Sequence, residues 1–136
     1  MIAKSSYATQ ILPGLFVGDY NDSKIEQNLS MVINCTPHLP FENSKAAIKI
    51  RIPLFDPPSD NTYIEMMFNV LKSDLFEKIN ENNGDPILIH CLAGAQRSAA
   101  LCAGYIMWKN KMNALEACVF LRYKRKEAFD CGDPTH

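Results

Sequence analysis

No stretch of the 136 residues stays apolar for the ~20 positions a bilayer-spanning helix needs, so a transmembrane segment is not expected. A secretory leader is not expected either. The opening Met1-Ile2-Ala3-Lys4-Ser5-Ser6 has no apolar core, and Ile2 stands where myristoylation needs glycine. Charge of one sign is equally scarce: 14 Lys and Arg against 15 Asp and Glu leave a formal net charge of -1, which offers nucleic acid no basic footprint. The five cysteines form no CxxC pair and no His/Cys cluster with zinc-ligand spacing. Their odd number argues against a disulfide scaffold and for a reducing, intracellular setting, cytoplasmic or nuclear. Asp19-Tyr20-Asn21-Asp22-Ser23 imitates the start of a calcium loop, but Lys24 takes the place of its glycine and Ser30 that of its closing glutamate.

What is present is an ordinary globular composition, 47% hydrophobic and 21% charged, with enough chain for one core and one domain over residues 1–136. Two short strands are expected within 10–18 about a Pro13-Gly14 turn. Ser23 and Glu26 make a capping-box pair for a helix reaching about residue 29. Strands follow over 31–35 and 46–54, separated by a loop over 36–44, and a stiff acidic loop covers 55–61. Thr62 with Glu65 opens a helix through about residue 80, with Ile64, Met67, Phe68, Leu71, Leu75 and Ile79 at helical spacing. A strand over 86–89, a nearly all-apolar helix over 98–109 and a last helix from Asn113 to about Arg125 complete the chain. Strands alternating with helices predict an α/β fold: a central, mostly parallel sheet with helices on both faces.

One stretch carries chemistry. Ile87-Leu88-Ile89-His90-Cys91 reads as a strand, Leu92-Ala93-Gly94-Ala95-Gln96 as a small-residue loop, and Arg97-Ser98 as the start of a helix. Such a loop points backbone amides inward at a helix N-terminus, where negative charge is favoured. Arg97 adds a planar fork for two oxygens of a phosphate. The same groups would hold Cys91 as a thiolate nucleophile.

His90-Cys91, five residues, then Arg97-Ser98, with Gly94 in mid-loop, resembles the signature of the protein tyrosine phosphatase superfamily. Ile11 to Gly18, Ile52-Pro53-Leu54-Phe55-Asp56 and Gly104-Tyr105-Ile106-Met107 resemble that family's opening segment, acid loop and post-loop helix. Small size and the lack of an Asn-Arg-Tyr loop point to its dual-specificity group, whose shallow pocket takes phosphotyrosine, phosphoserine and phosphothreonine. The resemblance implies Cys91 as nucleophile and Arg97 with the amides of Leu92 to Arg97 as phosphate clamp. It further implies Ser98 as the hydroxyl steadying the expelled thiolate, and His90 as a support for the loop backbone. Asp56 is the favoured general acid, with Asp60 the alternative. Arg125 stands either as a second anion site or as part of a solvated helix end with Arg122.

No cofactor or metal is called for by that chemistry. The expected partner is a phosphorylated protein, met by a monomer without nucleic acid or membrane. A phosphoinositide or RNA 5′-phosphate substrate, or a phosphoprotein-binding module with little activity, are the alternatives; a loop without lysine weighs against the phosphoinositide. Gln96 departs from the serine usual in relatives, and the family's extra C-terminal helix is expected to be missing.

Overall fold

Aliphatic runs build the sheet in the computed structural model, which describes residues 8–25, 28–42, 46–54, 69–71, 73–82 and 84–129. Strands β1 (Thr9–Leu12) and β2 (Leu15–Gly18) form a hairpin about Pro13-Gly14. Gly14 has φ of +79°, and a Cβ there would stand 2.3 Å from the Gly84 carbonyl oxygen, so the turn accepts only glycine. Then come α1 (Tyr20–Ser23), β3 (Met31–Asn34), β4 (Ile48–Arg51), α2 (Leu75–Asn80), β5 (Ile87–His90), α3 (Arg97–Asn110) and α4 (Ala114–Lys124). The strand order is β1-β2-β5-β3-β4, antiparallel only between β1 and β2, which bears out the mixed α/β, mostly parallel expectation.

Register sets where a site can form. Gly18 and Asn34 both pair with His90, and Asn34 pairs with Arg51, so four parallel strands end level. Whatever follows them emerges at one edge, the place where sheets of this kind gather ligands.

β3 and β5 are buried at every position, as befits central parallel strands. Val17, Met31, Ile33, Ile87 and Ile89 pack in the larger core with side chains of α2, α3 and α4. Val32 and Leu88 point the other way, into a smaller cluster with Leu29, Ala46, Phe16 and Phe41. Among the described residues the three longer helices thus crowd one face of the sheet. The rings of Phe76, Tyr105 and Trp108, with centroids 5.6 to 5.9 Å apart, tie α2 to α3; each such pair is worth about 0.5–1.5 kcal/mol beyond its buried area. No described helix is long and apolar enough to cross a membrane.

Three boundaries differ from expectation. The first helix begins at Tyr20, not Ser23, whose expected partner Glu26 lies outside the described residues: Asp19 Oδ1 accepts from the Asp22 amide and Asp22 Oδ2 from the Asp19 amide, both at 2.8 Å. The stretch imitating a calcium loop is therefore a helix cap, and Ser23 ends the helix with its hydroxyl on the Tyr20 carbonyl. The helix expected to 80 is interrupted at Ser73-Asp74, where Ser73 Oγ donates to the Val70 carbonyl at 2.7 Å and accepts from the Leu75 amide at 3.2 Å, competing with helical bonds. Its expected first part, 62–68, lies outside the described residues. β4 is shorter than 46–54 and ends at Arg51, whose guanidinium reaches the carbonyls of Thr36 and Leu39. By contrast, the Asn113 and Glu116 capping box opens α4 as its spacing predicts.

Candidate active site

Cys91 leaves β5 at the level edge of the sheet; the chain turns through 92–96 and becomes helical at Arg97. The turn needs Gly94. Its φ is +70°, and a Cβ there would lie 2.7 Å from the Gly18 carbonyl group and 2.7 Å from Arg125 Nη2. Pinned against β2 in this way, Gly94 directs its N–H at Cys91 Sγ, 3.2 Å away. Ser98 in the first turn of α3 brings its hydroxyl to 3.3 Å from the same sulfur.

Burial and charge act against each other at this thiol. Burial pushes the fully enclosed Cys102 up to about 12, and it raises Cys35 and Cys118 as well. Cys91, only 2% exposed, is also penalised by burial. There the Ser98 hydroxyl and amide, the Gly94 amide and the Arg97 charge outweigh it and hold the thiol below its ordinary value. Among the described cysteines, Cys91 alone is shifted toward the thiolate.

The loop is held from outside. Tyr20 N donates to the Leu92 carbonyl at 3.0 Å and Cys35 N to that of His90 at 2.8 Å. His90, fully buried, lies with Nδ1 3.3 Å from the Cys91 carbonyl oxygen and donates to it in its Nδ1–H form. Burial lowers the His90 pKa, partly offset by that backbone contact, so the ring is a neutral strut. Arg97 is buried, and its Nη1 donates to the Leu54 carbonyl at 2.9 Å, two residues before Asp56 in the chain. Leu92 and Ala93 are exposed at the mouth, and Ala95 and Gln96 are half-buried. Gln96 is the N-cap of α3 but makes no side-chain cap bond, which leaves the first turn to other acceptors.

Asp56 and Asp60 lie outside the described residues. Arg125 is the clearest correction: it is not part of a solvated helix end but 5% exposed, with Nε donating to the Gly94 carbonyl at 3.0 Å and Nη1 to Thr9 Oγ1 at 2.9 Å. Its neighbour Arg122 is exposed. Sequence reasoning missed Thr9, Tyr20 and Arg51 as supports of this edge; only the Asp19-x-x-Asp22 pairing hinted at the turn that carries Tyr20. No three described His, Cys, Asp or Glu side chains converge as a metal site.

Comparison with known proteins agrees with this geometry. The chain is 30% identical over 129 residues to human dual specificity protein phosphatase 9, covering 90% of this chain and 33% of that protein. To mouse dual specificity protein phosphatase 22 it is 30% identical over 121 residues, covering 80% and 62%. The chain thus spans about a third of the first of these relatives and under two thirds of the second. The fold superposes on a mouse putative dual specificity phosphatase complexed with zinc tungstate (TM-score 0.75, 20% identity, 94% and 81% of the two chains). Human DUSP28 superposes with TM-score 0.74 at 20% identity over 93% and 85%. The model of the dual specificity phosphatase catalytic domain matches residues 15–131, from β2 past the end of α4 with the Cys91 loop inside it, and the chain belongs to that family.

Proposed function

We propose that the protein hydrolyses phosphotyrosine and phosphoserine or phosphothreonine monoesters of proteins through a phosphocysteine intermediate. The observation that carries this reading is the Cys91 sulfur, held toward thiolate by Gly94 N–H and the Ser98 hydroxyl beside the Arg97 guanidinium. A thiolate at the floor of a loop with an adjacent arginine is a nucleophile with an oxyanion clamp.

Cys91 Sγ attacks phosphorus in line with the leaving oxygen. The equatorial oxygens are met by the amides of Leu92, Ala93, Gly94, Ala95, Gln96 and Arg97 and by the Arg97 fork. As the P–O bond breaks, Asp56 gives its proton to the departing oxygen. The carboxylate left behind then removes a proton from water, which attacks phosphorus and breaks the S–P bond. Ser98 donates to the sulfur as it regains its charge. The tie from Arg97 to the Leu54 carbonyl links the clamp to the segment that leads into the acid. His90, neutral and against the Cys91 carbonyl, holds the loop and moves no proton. Lysine-free Leu92 to Gln96 fits a monoester better than a polyphosphorylated inositol ring. The site works in a reducing compartment, because a lowered thiol is readily oxidised.

The acid is tested by Asp56→Ala and Asp60→Ala. On a phosphothreonine peptide, Asp56→Ala is expected to lower kcat by about 10²–10⁴ and to lose less on nitrophenyl phosphate, whose leaving group needs no proton. A larger peptide-specific loss for Asp60→Ala moves the role to Asp60. A panel of phosphotyrosine and phosphothreonine peptides, a phosphoinositide and triphosphorylated RNA tests the substrate class, with the peptides expected to turn over fastest. Faster turnover of the lipid or the RNA overturns the protein substrate, and binding of the peptides without turnover turns the enzyme into a binding module.

A further inference from the structure

The segment after α4 reaches back under the Cys91 loop. Arg125 ends the helix in an extended conformation, a turn closes from its carbonyl to the Ala128 amide at 2.9 Å, and Ala128 is fully buried in the main core. The turn delivers two donors to the outside of the loop: Arg125 Nε to the Gly94 carbonyl at 3.0 Å and the Phe129 amide to the Ala95 carbonyl at 2.6 Å. Phe129 adopts φ of +59° to do so, a left-handed conformation that a bulky side chain seldom takes without a compensating contact. A second arm of the Arg125 guanidinium is fixed by Thr9 Oγ1 on β1, so the fork is held from the sheet as well.

Peptide planarity turns these bonds into orientation. In a trans peptide the carbonyl and the next N–H point opposite ways. Drawing the Gly94 and Ala95 carbonyls toward the brace therefore turns the amides of Ala95 and Gln96 away from it. Arg125 Nη2 also closes the space in which a side chain at position 94 would stand, since a Cβ there would lie 2.7 Å from it.

We infer that residues 125–129 form a brace that sets the amides of the loop, with Arg125 a positioning residue for oxyanion binding and for the Cys91 thiolate that it never touches. This rests on the phosphatase reading. It adds that the loop's geometry is imposed by the chain that follows α4 and by β1, and that Arg125 serves the loop from behind instead of meeting a second phosphate group.

The test is peptide-resolved alkylation of Cys91 by iodoacetamide across pH, with and without inorganic phosphate, on folded variants checked by thermal melting. Arg125→Met is expected to raise the midpoint for Cys91 alkylation by about one pH unit and to weaken phosphate protection about tenfold. Thr9→Val, which removes only the hydroxyl that steadies the fork, should move both in the same direction by about two- to threefold in protection. Arg122→Met removes the same charge from the exposed neighbouring turn and should leave both at the wild-type values. A change in melting temperature with neither readout moved would mean a merely structural arginine and overturns the brace. An effect of Arg122→Met as large as that of Arg125→Met overturns it in favour of net charge. If Arg125→Met does not fold, an unchanged Thr9→Val decides against it. Loss of the low midpoint and of phosphate protection in the wild type would instead sink the phosphatase reading itself.

Discussion

Replacing Cys91 by serine leaves a protein that still binds inorganic phosphate but whose turnover of a phosphotyrosine peptide falls on the order of 10⁴–10⁶-fold. Serine keeps the size and the hydrogen-bonding sense of the side chain, so Gly94 N–H and the Ser98 hydroxyl retain a partner within reach. What it lacks is acidity: these donors stabilise an anion at position 91, but not enough for an alcohol to ionise at neutral pH. They outweigh burial for a thiol, and an alcohol starts several pH units higher, with no neighbouring base among the described residues. His90 does not supply one: its Nδ1 faces the Cys91 carbonyl, and its ring is kept neutral by burial. Steady-state kinetics together with phosphate binding by calorimetry check this, and turnover within tenfold of wild type would exclude Cys91 as nucleophile.

Arg97→Lys is the second large effect. The positive charge survives, but one ammonium cannot hold two phosphate oxygens and the Leu54 carbonyl at once. An expected loss of about 10²–10³ in kcat/KM follows from removing a preorganised donor pair. Because the Leu54 tie leads toward Asp56, kcat should fall more on a phosphothreonine peptide than on nitrophenyl phosphate. Equal losses on the two substrates would separate the arginine from the acid segment. Arg97→Met, which gives up charge as well, should add to the loss and weaken phosphate binding.

How much of this is legible in the sequence depends on how local each signal is. The strand, loop and helix around Cys91 are written in adjacent residues: an aliphatic run, a glycine among small side chains, and an arginine at a helix start. Burial and pairing then place them as the run predicts. The first helix was misplaced because two overlapping capping pairs compete within eight residues, Asp19 with Asp22 and Ser23 with Glu26. Propensity cannot rank them, whereas packing of Asp22 and Ser23 against the edge of the sheet can. The continuous helix expected to residue 80 breaks at Ser73, because the apolar stripe of Leu71, Leu75 and Ile79 runs on in register past a hydroxyl that competes for the backbone.

The burial of Arg125, which the sequence leaves open between an anion site and a solvated helix end, is illegible for a different reason. Its neighbours in sequence, Arg122, Tyr123, Lys124 and Lys126, are all exposed, and a basic run at a helix end is normally solvated. Only the path of the chain after α4, fixed by the buried Ala128, brings that one arginine beneath Gly94, 31 positions away. Thr9 and Tyr20 are the same case: each supports the loop through a contact set by sheet register, which no local pattern encodes.

The most direct test of the central claim is the titration of the Cys91 thiol in the intact wild-type protein, read as iodoacetamide labelling of each cysteine by mass spectrometry from acid to alkaline pH. Cys91 should label with a midpoint below the ~8.5 of an ordinary thiol, well before Cys35, Cys102 and Cys118, and inorganic phosphate should slow that labelling alone. A midpoint at or above the ordinary value, or labelling indifferent to phosphate, would contradict the account.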